Sequence, residues 1–473
     1  MKKNFLFLNT TILFVFVSCA QQNKIAVTKT NETAIAFPGA EGFGKYTTGG
    51  RGGKVFIVSN LNDDGEGSFR RAAESKGKRI IVFAISGTIH LETKLTIKGD
   101  CTIAGQTAPG DGICLADHSV GFNGDNIIVR YMRFRMGDKN QKGGMLDGNG
   151  GDDAFGGSKR KNIIIDHCSM SWSTDEVFSI YGGDSTTLQW NLISEPLNYS
   201  YHFETGDKDY EHHGFGGIWG GTHLSAHHNL FAHCVSRNPR FNGTRLGATQ
   251  EFVDFRNNVI YNWGGNSSYG GEAGTYNIIN NYYKYGPSTN KSVKFRIVNP
   301  TKTDVLDFGK FYVDGNYVDE APDVTKKNYL GVDMGKGSTE DDKKRSVVNE
   351  AFTTEECVTQ TAKEAYMKIL DKVGASFRRD ILDVRIIKDV WNRTGKFIDV
   401  QGDFPHGTDY ELTVTAWPSL QSLPAPADTD KDGMPDEWEK KHGLNPNDPA
   451  DASQNKLDKH YTNIEVYINS IVK

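Results

Sequence analysis

The chain has 473 residues, with 54 Lys+Arg against 59 Asp+Glu and a formal net charge of −5. That balance excludes a basic nucleic-acid-binding protein and leaves no basic face for a membrane surface. Hydrophobic residues make up 37% and aromatics 11%, enough for a large core, so global disorder is excluded too. Glycine is abundant (52 residues) beside 14 prolines, with no Gly-X-Y period, which excludes collagen and suits a turn-rich all-β chain.

Residues 1–19 read MKKNFLFLNTTILFVFVSC. Two lysines precede an apolar run and a small-residue site, the pattern of a secretory signal, too short for a membrane span. Ser18-Cys19 resembles a bacterial lipobox, which implies lipidation of Cys19 and anchoring to the outer membrane or cell surface. Ordinary cleavage at the same point would release a secreted protein. Residues 20–36 are polar and read as a tether.

From about residue 54 to 320, short β-rich runs alternate with Gly/Asn/Asp turns, as in Lys54–Ser59, Arg79–Ile85, Asn126–Phe134 and Asn162–Asp166. A polar residue, usually Asn, recurs before a hydrophobic pair at 167, 191, 229, 258, 281 and 316. The spacings have a minimum near 23 residues with variable excess, one coil per repeat plus loops. Stacked coils bury the apolar side chains, and asparagines bond to their copies above and below. The predicted fold is therefore all-β, a right-handed single-stranded parallel β-helix. A β-propeller would need an even blade period, which is absent.

After residue 320 the texture changes. Residues 323–348 are charged and Gly-rich and are expected to form an exposed loop. Thr361–Val373 places Ala365, Ile369 and Leu370 at helical spacing, a helix that packs on or caps the coil. The β-helix domain with its C-terminal helical and loop extension thus spans 37–417, and the proline-containing stretch 418–427 is a linker.

Residues 428–473 open with Asp428, Asp430, Asp432, Gly433, Asp436 and Glu439 at EF-hand positions 1, 3, 5, 6, 9 and 12. Alternating acids supply the oxygens that Ca²⁺ needs, and the glycine permits the sharp turn. The segment resembles calcium modules appended to secreted bacterial polysaccharide-degrading enzymes. It is expected to be an autonomous calcium-stabilised unit.

Two blocks carry the chemistry. The first runs from Asp152-Asp153 through Asp166-His167-Cys168 to Asp175-Glu176. The second joins His227-His228-Asn229 to Arg237-Asn238-Pro239-Arg240. With the start at Phe37-Pro38-Gly39-Ala40-Glu41-Gly42-Phe43-Gly44, these blocks resemble polysaccharide lyase family 1, the pectate lyases, over roughly residues 37–300. The resemblance implies a parallel β-helix that cleaves polygalacturonate by calcium-assisted β-elimination. It implies Asp153 and Asp175 as hard oxygen ligands for Ca²⁺, Arg237 as the Brønsted base and Arg240 as a carboxylate-binding arginine. Arginine is nearly always protonated, so a basic role needs a neutral fraction, favoured at alkaline pH. Asp166-His167 is expected to support the site structurally. The chain departs from the family pattern at Ser179, where relatives often carry an acid, and at Asn242, where they often carry an arginine. Glu176 is expected on the opposite strand face from Asp175.

Seven of the 13 histidines lie between 202 and 233, without a His-Glu-x-x-His pattern. His202 and His213 are expected to line the groove. Trp219 is expected either to stack a sugar face or to pack the coil. Five cysteines follow Cys19; among them Cys101 and Cys114 are the nearest pair that export would allow to bridge.

The expected function is calcium-dependent cleavage of pectate, an acidic plant or algal cell-wall polysaccharide, by a monomer. It would touch the membrane only through a lipid anchor and would bind no nucleic acid. The alternatives are a lyase for another uronate polymer, a polygalacturonase-type hydrolase and an inactive carbohydrate-binding β-helix.

Overall fold

The computed structural model describes residue 1 and residues 33–139, 152–203, 207–246 and 250–472. Cys19 and most of the expected signal and tether lie outside the described residues.

The short β-runs stack as parallel rungs, each coil giving one strand to each of three sheets. Sheet A contains Arg79–Phe83, Cys101–Ala104, Ile127–Arg130, Lys161–Asp166, Leu224–His227, Phe252–Arg256 and Thr275–Ile279. Sheet B runs from Gly87–His90 through Ser169–Ser171, Leu192–Ser194 and Leu230–Ala232 to Tyr317–Val318. Sheet C holds Leu95–Ile97, Val120–Phe122, Phe155–Ser158, Ile218–Gly221, Arg240–Phe241 and Ser268–Gly270. Phe178–Gln189 serves sheet C with its first half and sheet A with its second. This is the parallel β-helix that the repeat predicts.

The strands form because their side chains alternate between two apolar destinations. Ile163 and Ile165 point into the coil with Val129, Leu188, Ala226 and Phe255. Ile164 and Ile128 point outward beneath Ala36, Phe37 and Ala40. Inside, Phe134 stacks on Phe155 at 4.0 Å and Phe155 on Phe178 at 5.6 Å. The segment 36–53 crosses the outer face of sheet A so closely that a Cβ on Gly44 would meet the Ile163 carbonyl oxygen at 2.6 Å.

The bend from sheet A to sheet B uses a left-handed residue followed by an inward polar one. His167, Trp190, His228, Asn257 and Asn280 have φ between 50° and 57°. Behind them Asn191, Asn229, Asn258, Asn281, Asn316 and Asn328 form a continuous ladder, each Nδ2 donating to the next Oδ1 at 2.9–3.0 Å. Cys168, and not His167, occupies the ladder position in its coil, since its N–H donates to Asn191 Oδ1. His167 instead joins an outward stack, Tyr131–His167–Trp190–His228. Its Nδ1 bonds Asp166, which also pairs with Arg130. The Asp166-His167 pair thus sits on the outer face of the coil, under the crossing segment, and not inside it.

Residues 322–348 are not a simple loop. Helices Pro322–Lys326 and Glu340–Ser346 and strand Val347–Val348 finish the last coil. Helices Ala362–Lys372 and Ile381–Asn392 cover the outer face of sheet B over Leu192, Leu230 and Val259. The 418–427 stretch lies against the coil, with Ser422 bridged to Gly110. The C-terminal segment is not detached either. Met434, Leu444, Ile464 and Ile468 pack on Ile80, Val82 and Ala104 of sheet A, and Arg51 pairs with Glu465 at 2.8 Å. Residues 34–473 form one compact unit.

Cys101, Cys114, Cys168, Cys234 and Cys357 are all free and buried. Cys101 faces the coil interior and Cys114 the helices outside sheet B, so the suggested pair cannot bridge. Among the described residues no helix is long and apolar enough to cross a membrane.

Candidate active site

Parallel stacking turns one position, just ahead of each sheet C strand, into a row. Asp152-Asp153 precede Phe155–Ser158, Asp175-Glu176 precede Phe178, and Arg237 precedes Arg240–Phe241. The rows are joined by backbone contacts. Asp175 N–H donates to Asp152 O, Glu176 bridges Phe215, and Phe215 bridges Ser236. Residues distant in sequence thus meet at one edge.

The edge is acidic with one arginine set into it. One oxygen each of Asp153, Asp175 and Glu176 lies within 4.8 Å of the others. Arg237 sits against Glu176, 4.0 Å from Asp175 Oδ1, with its guanidinium 4.3 Å from the Phe215 ring centre. His213 Nε2 bonds Asp175 Oδ1 at 2.6 Å, and His202 stacks on His213 at 3.9 Å. Burial, then the Asp175 charge, pushes Asp153 well above the usual carboxylate range, against the pull of Arg237. Burial also opposes ionisation of Asp175, but the His213 hydrogen bond and charge, with Arg237, hold it below the usual range. Two adjacent acids of opposite tendency, one anionic and one unwilling, form a place where a cation is favoured. Beside them a groove of about 450 Å³ runs along sheet C, lined by Lys94, Asp152, Asp153, Arg160 and Tyr181 among others.

The chain is 37% identical to a probable pectate lyase C of Aspergillus flavus over 93% of this chain and 94% of the relative. It is 36% identical to the protein of the same description from Emericella nidulans, over 93% of each. The chain belongs to the pectate lyase family. A pectate lyase 5 of Ambrosia artemisiifolia is 31% identical over 37% of this chain and 47% of its own. No family model matches. Among solved structures, the major cedar-pollen allergen matches at 15% identity and TM-score 0.46, over 71% of this chain and 92% of its own. A Bacillus subtilis pectate lyase variant matches at 14% identity and TM-score 0.44, over 71% and 97%.

Several site expectations for this pectate lyase family member need correction. Trp219 is fully buried and donates to Phe178 O at 2.9 Å, so it packs the coil and stacks no sugar. His202 and His213 are also buried, behind Asp175, and position that acid instead of lining the groove. Glu176 does not face away, because Asp175 and Glu176 precede the regular strand and escape its alternation. Arg240 is committed to the buried Glu272 at 2.7 Å. Ser179 lines the groove with its Oγ accepting from Ile218 N, whereas Asn242 is buried against Glu251 and does not reach outward. Arg245, three residues past Asn242, is an exposed arginine that sequence reasoning missed. Partial desolvation of its guanidinium lowers its pKa, followed by the charge of Arg240, with Arg237 also contributing. Lys94, 3.0 Å from Asp152, was missed as well, since it enters from an earlier coil.

The C-terminal loop brings together Asp428, Asp430 and Asp432, and next to them Asp432, Glu439 and Asp451. Both oxygens of Asp430 and Glu439, Asp432 Oδ2 and Asp451 Oδ1 are buried without hydrogen-bond partners. Burial, followed by the neighbouring acids, pushes Glu439 up to about 8. This donor set fits a hard divalent cation. Asp436 is not among these groups. Its carboxylate instead accepts from Thr429 N and Oγ1, both at 2.7 Å, and Asp451 stands in its place.

Proposed function

We propose that the chain cleaves pectate by β-elimination in the groove along sheet C. The observation that carries this reading is the meeting of Asp153, Asp175 and Glu176 with Arg237 at one edge. Asp153 and Asp175, with Glu176 added, would hold Ca²⁺. A bound Ca²⁺ would offset the negative charge that gathers on the uronate carboxylate. His213, backed by His202, fixes the Asp175 carboxylate. Glu176 and the Phe215 ring fix the Arg237 side chain, whose neutral guanidine fraction is the group assigned to receive the C5 proton. The C5–H electrons then form the C4=C5 double bond as the C4–O bond breaks, and solvent protonates the leaving oxygen. The product carries an unsaturated uronate end.

Serine at 179 and asparagine at 242, where the family pattern often has an acid and an arginine, support a second reading, a lyase for a different uronate polymer. We further propose export through residues 1–19, anchoring at Cys19, action as a monomer, and calcium binding by Asp428, Asp430, Asp432, Glu439 and Asp451. The test is incubation with polygalacturonate and other uronate polymers while unsaturated product is followed. Product should form with Ca²⁺, stop on chelation and return on re-addition. Asp153→Ala and Asp175→Ala should stay folded with most turnover lost. Full activity of both variants after chelation would sink the assignment.

A further inference from the structure

A second constellation lies on the outer face of sheet A. Glu41 comes from the segment crossing that face, His227 from strand Leu224–His227, and Cys357 from the segment between Val348 and helix Ala362–Lys372. One ligand atom of each lies within 4.8 Å of the others. His227 is 1% exposed, and its Nε2 has no hydrogen-bond partner. The carboxylate of Glu41 approaches that nitrogen to 4.0 Å.

Proton accounting shows what His227 Nε2 offers. Gln360 Oε1 can only accept, so His228 Nε2, 2.6 Å away, carries a hydrogen and donates to it. A neutral imidazole that donates from Nε2 has Nδ1 as its acceptor. His227 Nδ1, 2.9 Å from that atom, must therefore be the donor. His227 Nε2 is left with a bare lone pair in a buried site, facing a carboxylate and a thiol. A histidine whose far nitrogen is fixed by a hydrogen bond while the near one is free is the arrangement of a metal ligand with its outer support.

We infer that Glu41, His227 and Cys357 form a site for a borderline divalent metal of the zinc class. Thiolate, imidazole and carboxylate are the donors such an ion takes. Bonds of about 2.0–2.3 Å put donors on a tetrahedral ion roughly 3.3–3.8 Å apart, so small shifts close this cluster onto one metal. Val358 N now donates to Glu41 Oε2 at 2.8 Å. Binding exchanges the thiol proton, released to solvent, for the metal–sulfur bond, and leaves a fourth position for water. The three ligands come from chain segments 186 and 130 residues apart (227 − 41 and 357 − 227), so the ion would staple the crossing segment and the 349–361 segment to the coil.

The test uses the full mature chain in saturating calcium, which occupies the all-oxygen sites. Cobalt(II) is titrated and the thiolate-to-cobalt charge-transfer absorption is read. Among the described residues Cys357 is the cysteine that shares such a cluster with a histidine or an acid. The band should grow to a single equivalent, be displaced by zinc and vanish in Cys357→Ser. Glu41→Gln should weaken binding about tenfold or more. In the unmodified protein, zinc should also slow alkylation of Cys357, a readout that does not depend on any variant folding. Absence of both the band and the protection overturns the site, as does a band that persists in Cys357→Ser.

Discussion

At the scale of single residues, Arg237 and Arg240 share one short element but do different work. Arg237 faces the acidic edge with its side chain 23% exposed, whereas Arg240 is paired with the buried Glu272, which Thr301 also contacts. Arg237→Lys keeps the charge and loses the planar fork. It should lower kcat about 100-fold or more with little change in KM, the pattern of an interaction made in the transition state. Steady-state kinetics on the cleaved polymer checks this, and near-normal kcat would move the base elsewhere. Arg240→Ala strands a buried carboxylate and should cost about 3 kcal/mol of stability, read from denaturant unfolding. The sequence marked both arginines equally, because their difference lies in Glu272, 32 residues away and one coil on.

At the scale of elements, the asparagine ladder and the sheets behind the site make opposite statements about buried polarity. Asn258 accepts from Asn229 and donates to Ala226 O, Arg256 O and Asn281. Asn258→Ala leaves several of these groups unmet, at about 1–3 kcal/mol each, and should lower the unfolding midpoint more than Asn328→Ala at the ladder's end. Glu251 is also buried and bonded, to Tyr276 at 2.7 Å and Gly243 N at 2.6 Å, yet burial first of all pushes it up to about 8. Its folded value thus lies above the unfolded one, and the fold retains its proton longer. Stability therefore falls as pH rises from the ordinary carboxylate range to about 8. Glu251→Gln should flatten that slope, becoming progressively more stable than the parent up to about pH 8. Equal slopes in urea titrations across that range would refute the assignment. The ladder itself was legible in the sequence from Asn191 to Asn316. Its first position was misread by one residue, because Cys168 carries no amide to reveal the register.

At the scale of the whole molecule, the C-terminal segment is tied to the coil by apolar packing and by Arg51–Glu465. Calcium at Asp428, Asp430, Asp432, Glu439 and Asp451 should therefore stabilise more than the module. At 100 times Kd the gain is about 2.7 kcal/mol, and Asp432→Asn with Glu439→Gln should abolish the calcium-dependent rise in Tm. Deleting 425–473 should lower Tm further, since Ile80, Val82 and Ala104 lose their cover. Product formation by the folded truncation should persist, because none of the deleted residues belongs to the edge that carries Arg237. Loss of all activity in a folded truncation would place the module in the site.

What the sequence determined by itself were the features written in local repetition and spacing. These were the coil period, the alternation that packs the sheets, the loop of alternating acids, and the Asp153, Asp175 and Arg237 positions that the family resemblance marks. Each depends on residues a few positions apart or on a pattern repeated along the chain. Tertiary structure alone decided what depends on the neighbouring coil. It buried Trp219, turned His202 and His213 toward Asp175, aimed Glu176 at Arg237 and replaced Asp436 with Asp451. It also kept Cys101 and Cys114 apart and brought Glu41, His227 and Cys357 together. The physical reason is parallel stacking. It brings residues tens to hundreds of positions apart within a few ångströms, where burial and the charge of the neighbour fix what each side chain can do.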